Sequence, residues 1–212
     1  GNQTKNADGT WSSDGNTGFK DDTSSQLNYV DGFYTTLING KNDYLIGAHN
    51  TVTGDSVENN HSNIVIGDNH TLENQSNNII LGSAASALPT TASQVTILGH
   101  NANATVDGGV ALGYGSIANR EAGKAGLDMS IVTNGKVGDF SKDASPVWTS
   151  NAAAVSVGHI AVDKEGKLDL ANTITRQITG VAAGSEDYDA VNVAQLKAVM
   201  NLPVHIYNGG KV

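Results

Sequence analysis

Five times between residues 44 and 113 the chain writes three mostly apolar residues and stops them with a glycine. The phrases are Tyr44-Leu45-Ile46-Gly47, Ile64-Val65-Ile66-Gly67, Ile79-Ile80-Leu81-Gly82, Thr96-Ile97-Leu98-Gly99 and Val110-Ala111-Leu112-Gly113. A sixth, Val155-Ser156-Val157-Gly158, stands apart. Self-similarity at a short period constrains the fold more than any single residue, because each unit must satisfy the same neighbours as the next. A small or apolar residue also recurs five positions after the glycine, at Val52, Leu72, Ala87, Ala104 and Ala118.

Three apolar residues are too few for a helix and suit a strand. A glycine at a fixed place marks a bend or a close backbone approach. The Asn-, Asp-, Ser- and Thr-rich runs between phrases supply turn chemistry. Such units stack as a parallel β-roll, a β-solenoid, each coil adding one strand-to-strand step of about 4.8 Å. Taking positions one and three of each triplet as inward, together with the second apolar position after the glycine, predicts a core of Ile46, Ile64, Ile66, Leu72, Ile79, Leu81, Leu98, Leu112 and Val157. So few side chains per coil make a thin core, and the repeat therefore predicts packing against other subunits.

Composition agrees with an all-β repeat protein. Apolar residues make up 38% and aromatics 5%, both low for a single filled core. The net charge of -9 argues against binding nucleic acid through its phosphates or adsorbing to anionic lipid. The absence of cysteine suits a chain exported unfolded. Neither a signal peptide nor a stretch of about 20 apolar residues is present, so export and anchoring elements are expected outside this sequence.

Residues 1–41 do not follow the period and read as a polar leader with a cap or irregular first coil. Residues 42–119 hold the regular repeats. Residues 120–158 form an insertion, expected to pack on the roll, and the final coil. Residues 159–188 are a connecting region with a turn at Asp163–Lys167. Residues 189–202 read as a short helix capped by Asp189 or Asp187, with Val193, Leu196 and Met200 on one seam. Residues 203–212 begin a further β element at Val204–Tyr207.

No pattern of paired carboxylates or of base beside cation supports an enzyme. His49, His70 and His100 fall at differing offsets from their glycines, which does not suit convergent metal ligands; they read as polar surface residues. No cofactor is expected. Asn-x-Ser/Thr sequons at Asn60, Asn69, Asn74 and Asn103 read as turn caps. Trp11, Tyr29, Phe33, Tyr34, Asn69 and His70 are the candidates for contact with a ligand.

Residues 176–199, RQITGVAAGSEDYDAVNVAQLKAV, resemble the neck motif of the trimeric autotransporter adhesins, the YadA-like surface proteins of Gram-negative bacteria. The run Asp189–Lys197 matches that motif throughout. The triplet-glycine repeats are similar to the family's head repeats, and Trp148…Val155-Ser156-Val157-Gly158…Arg176-Gln177-Ile178 is similar to its passage from head to neck. The resemblance implies a left-handed roll in each of three chains, a homotrimer. It implies a trimeric neck and coiled coil formed by Arg176, Gln177, Ile178, Val181, Asp189, Val191, Asn192, Val193, Leu196 and Met200. It also implies a head held at the cell surface by an outer-membrane anchor further along the chain, attaching to host cells, matrix, glycans or other bacteria. The other reading is a non-binding spacer, with the adhesive site elsewhere in the fibre. With three chains side by side, Ile64, Ile66, Ile79 and Leu81 become core either in their own coil or against a neighbour.

Overall fold

The computed structural model describes residues 27–202, together with the backbone of β1 (Gln3–Lys5) and β2 (Trp11–Ser13), which pair antiparallel. The side chain of Trp11 and the strand expected at Val204–Tyr207 lie outside the described residues. The chain divides into two units, 1–176 and 177–212.

The first unit is a parallel β-solenoid of about six coils. Each coil contributes one strand to each of two walls. The coils are β3 (Tyr29–Asp31) with β4 (Thr36–Ile38), β5 (Tyr44–Ile46) with β6 (Thr51–Thr53), β7 (Ile64–Ile66) with β8 (His70–Glu73), β9 (Ile79–Leu81) with β10 (Leu88–Thr90), β11 (Thr96–Leu98) with β12 (Asn103–Ala104), and β13 (Val110–Leu112) with β14 (Ile117–Ala118). An antiparallel hairpin of β15 (Leu127–Thr133) and β16 (Lys136–Phe140) interrupts the series. Then β17 (Val155–Ser156) rejoins the first wall beside β13. That wall is a seven-stranded sheet in the order β17-β13-β11-β9-β7-β5-β3.

The triplets pair in the register of their glycines: Ile64 lies beside Ile79, Val65 beside Ile80 and Ile66 beside Leu81. The sixth phrase resumes the sheet as the repeat predicts, with Val155 beside Val110. The invariant glycine is explained by contact. A Cβ on Gly67, whose φ is +145°, would lie 2.3 Å from the carbonyl oxygen of Gly82 on the next coil. No side chain fits there.

The parity of the triplets is the reverse of the expectation. The middle residues Leu45, Val65, Ile80, Ile97 and Ala111 are buried. Among the nine residues expected in the core only Leu72 is buried. Ile46, Ile64, Ile66, Ile79, Leu81, Leu98 and Leu112 point outward with 36–52% of their surface exposed, and Val157 is half-buried. The opposite wall supplies Leu37, Val52, Leu72, Ala104 and Ala118 to the same interior. Ala87 does not join them. Three extra residues in that coil move the strand along, so Thr90 pairs with Leu72 and takes the inward slot while Ala87 is exposed. The hydrogen-bond ladder of the second wall breaks after β10, which contains Pro89 and so lacks one ladder donor, and β12 and β14 pair with each other as a separate ladder. Asn103 Nδ2 instead donates to the Pro89 carbonyl at 2.9 Å.

The rest of the interior is polar and ordered in rows. In one row each side-chain oxygen accepts the main-chain N–H one coil further on: Asn28 from Asp43 at 2.9 Å, Asp43 from Asn63 at 2.8 Å, Asn63 from Asn78 at 3.3 Å and Asn78 from Val95 at 3.0 Å. In a second row Thr35, Asn50 and His70 bond the carbonyls of Gly47, Gly67 and Gly82 in turn. These residues satisfy backbone groups at the corners, where the strands end and ladder bonds run out.

The second unit holds one helix, α1 (Val193–Met200). Its cap is Asn192, not Asp189 or Asp187. Asn192 Oδ1 accepts from the Gln195 N–H, and Gln195 Oε1 accepts from the Asn192 N–H, a reciprocal capping box. Asp189 instead accepts from the N–H groups of Ser185 and Glu186, closing the turn before it.

Candidate functional surfaces

Four features of the surface and interior could carry function. The largest is the outward face of the seven-stranded sheet. Two rows run along it, Tyr29-Tyr44-Ile64-Ile79-Thr96-Val110-Val155 and Asp31-Ile46-Ile66-Leu81-Leu98-Leu112. From β5 onward both rows are almost wholly apolar, and most of their residues stand exposed among the described residues. An exposed apolar face of this length, on a chain with a thin interior, is a candidate interaction surface.

The second feature is the corner that follows each glycine. Two residues after the glycine the backbone is left-handed in five of the six coils: Tyr34 at φ +51°, His49 at +58°, Asn69 at +66°, Asn101 at +54° and Gly115 at +64°, with Ala84 of the Gly82 coil the exception. Aromatic rings collect there. Tyr34 and His49 stack with centroids 5.5 Å apart and planes 6° from parallel, and Phe33 meets Tyr34 edge-on at 4.1 Å. His100 and Tyr114 stack at 6.0 Å on a later pair of coils. Tyr29 and Tyr44 stack at 6.3 Å on the apolar face.

The three histidines thus part company. His49 and His100 are exposed on the corner. His70 is not a surface residue: only 2% exposed, it points inward onto the Gly82 carbonyl, and burial holds its pKa below the ordinary value. Asn69 is half-buried with its amide given to the Ala84 carbonyl at 2.7 Å. Asp68 accepts from the Ala48 N–H at 2.7 Å, and that bond holds its carboxyl below the usual range. Of the candidate ligand contacts with described side chains, Tyr29, Phe33 and Tyr34 remain at the surface. Among the described residues no group of three or more His, Asp or Glu is placed to hold a metal ion.

The third feature is Asp43, an acid in the row of buried asparagines. Its Oδ1 accepts from both the main-chain and side-chain N–H of Asn63, while Oδ2 has no partner. Burial pushes its pKa up to about 6, outweighing the bonds from Asn63.

The fourth is Arg176, expected in the neck. Its guanidinium bonds the carbonyls of Tyr114 at 2.6 Å and of Val157, and the Ser116 hydroxyl at 3.1 Å. It also lies against Gly113. Along the earlier coils that space is filled by the next coil's glycine, so Arg176 covers the last full coil where the series stops. The hairpin of β15 and β16 does not pack on the roll as expected: Leu127, Met129, Val132, Val137 and Phe140 are all exposed. In the second unit, Ile178, Val191, Val193, Leu196 and Met200 are exposed too.

Stacked coils with an apolar outer wall, followed by a second unit that holds a capped helix, define a β-solenoid repeat protein. Residues 177–202 match the family model for the coiled stalk of trimeric autotransporter adhesins. The chain is 50% identical over 93 residues to autotransporter adhesin BadA of Bartonella henselae, covering 44% of this chain and 2% of that protein. It is 49% identical over 87 residues to trimeric autotransporter adhesin AtaA of Acinetobacter sp. strain Tol 5, covering 41% and 2%. The chain thus spans about 2% of the length of the curated relatives it matches. These matches make the chain similar to segments of trimeric autotransporter adhesins, in its stalk-like residues 177–202 above all.

Proposed function

We propose that this chain is the head and neck of a homotrimeric adhesin displayed at a bacterial cell surface. The observation that carries the reading is the outer wall of the seven-stranded sheet. Its rows of Ile, Leu and Val would be buried on a three-fold axis by the same wall of two further copies, supplying the core that a single coil lacks. The exposed seam of Val193, Leu196 and Met200 on α1 fits the same symmetry as a short three-stranded coiled coil.

The function is display rather than catalysis. A stiff stack of coils carries weak contact sites outward, and three copies per fibre raise avidity without any new contact. An acidic head favours basic or polar receptors on host tissue or on other bacteria. Membrane attachment would come through an outer-membrane anchor elsewhere in the protein. Native mass spectrometry of the 212-residue chain tests the assembly: a mass three times 21.8 kDa is expected, and a folded monomer at micromolar concentration overturns it. The near-interchangeable coils also suit a spacer role. Cell binding by the isolated trimer separates the two readings, since a spacer alone would not adhere.

A further inference from the structure

The corner ladder breaks its own rule at its first step. In five of the six coils, all but that of Gly82, the slot two residues after the glycine is left-handed, a conformation costly for a bulky side chain and ordinary for Asn or Gly. Later coils put Asn69, Asn101 and Gly115 there. The first coil puts a tyrosine there, at φ +51°, and the second a histidine. Tyr34 is not placed there for the core, because 45% of it is exposed, as is 49% of the adjoining Phe33. One position after the glycine, Phe33 occupies the slot that the next coil fills with Ala48. Strain accepted at an exposed aromatic marks a position held for contact rather than stability.

We propose that Phe33, Tyr34 and His49 form a platform for cationic side chains, arginine above all, on a basic partner. The three rings lie within 6.4 Å of one another by centroid, the scale on which a guanidinium meets aromatic faces. The electrostatic setting selects the charge. Residues 27–75 carry six carboxylates and one lysine. Asp31 lies two residues before Phe33, and Asp68 reaches the same corner through its bond to the Ala48 N–H. That bond keeps Asp68 ionised. An anionic glycan would be repelled here and a neutral one would gain nothing from the field, whereas a cation gains from both rings and carboxylates. Arginine outranks lysine because its planar group stacks as well as attracts. The inference deepens the adhesive reading by naming the chemistry of a receptor, and rests on that reading only for its biological purpose.

The test is an NMR titration of the full 212-residue chain with hexa-arginine, hexa-lysine and an uncharged oligosaccharide, repeated on Tyr34→Asn and Phe33→Ala. Both substitutions install a residue that the same slot already holds in another coil, so folding is expected to survive, and Tyr34→Asn should not lower Tm. Hexa-arginine should bind the parent chain more tightly than hexa-lysine and shift the Tyr34 and Phe33 ring signals. Each substitution should weaken that binding by about ten-fold, and Tyr114→Ser, in the other ring stack, should leave it unchanged. Equal affinity of the two peptides, unchanged affinity in Tyr34→Asn, or preference for the oligosaccharide overturns the platform. Native masses recorded on the same samples report trimer assembly separately, so the failure of one inference is distinguishable from the failure of the other.

Discussion

The main-chain N–H of Asn63 donates to Asp43 Oδ1 at 2.8 Å, one coil below it, in a row whose other side-chain acceptors are Asn28, Asn63 and Asn78. An amide would make that bond equally well and would not bring a buried charge. The folded pKa of Asp43, about 6, lies above the ordinary 3.8, so the folded state favours the protonated form. The associated stability is fully present below pH 3.8 and is lost as pH rises through 6. At pH 7.5 the ionised form costs about 2–3 kcal/mol. Asp43→Asn should therefore raise Tm at pH 7.5 by several degrees, read by circular dichroism.

His70 runs the other way. Its pKa is depressed by burial, so its contribution is present above the ordinary histidine range and is lost as pH falls. In Asp43→Asn the stability should fall steadily on acidification from pH 7, because the opposing Asp43 term is gone. Adding His70→Asn, which copies Asn50 in the same row, should flatten that slope. Melting curves between pH 4.5 and 7.5 check both.

The glycine column predicts a sharp positional contrast. Gly67→Ala drives a Cβ into the Gly82 carbonyl at 2.3 Å and should cost about 3 kcal/mol or more. Gly108→Ala, at φ +71° with open space around it, should cost only about 1 kcal/mol. Chemical denaturation of the two variants side by side measures the difference.

Arg176→Ala uncovers the carbonyls of Tyr114 and Val157. A loss of about 1–3 kcal/mol is expected, with hydrogen exchange accelerated in β13 and β17 but not in β5. Arg176→Lys should recover only part of it, since an ammonium lacks the planar fork that spans several acceptors.

Leu81→Asp, on the outer wall, and Leu196→Asp, on α1, should each reduce the native mass toward 21.8 kDa, because a carboxylate would enter an apolar three-fold contact. The roll's interior contains neither residue. Far-ultraviolet circular dichroism of Leu81→Asp should keep its β signature.

The sequence made the coils legible, but not which way their triplets face. Period and register follow directly from the glycines, and Val155 falls into line after a 45-residue interval. Parity does not follow, because alternation names an inward face only when the outward face is polar. Here Ile64 and Ile66 are as apolar as the buried Val65 between them. The buried asparagines were hidden for a similar reason: Asn63 and Asn78 look like turn residues, and only the stack gives their side chains a coil to cap. The insertion at 85–87 was masked by alanines, which fit either surface. The helix cap was readable in principle, since Asn192-x-x-Gln195 is a capping box, but Asp187 and Asp189 are capping residues of equal quality by type. Tyr34's conformation could not be read at all, since its backbone strain leaves no mark on the residue order.

Because Arg176 occupies the space that a further glycine would fill, the stack has a dedicated lid and every coil before it is built to the same joint. Whole coils can then be inserted or removed upstream without redesigning either joint, at about 4.8 Å of reach per coil. Length in such a protein is a quantity that gene duplication can tune in small steps, while the lid and whatever the first corner grips stay as they are.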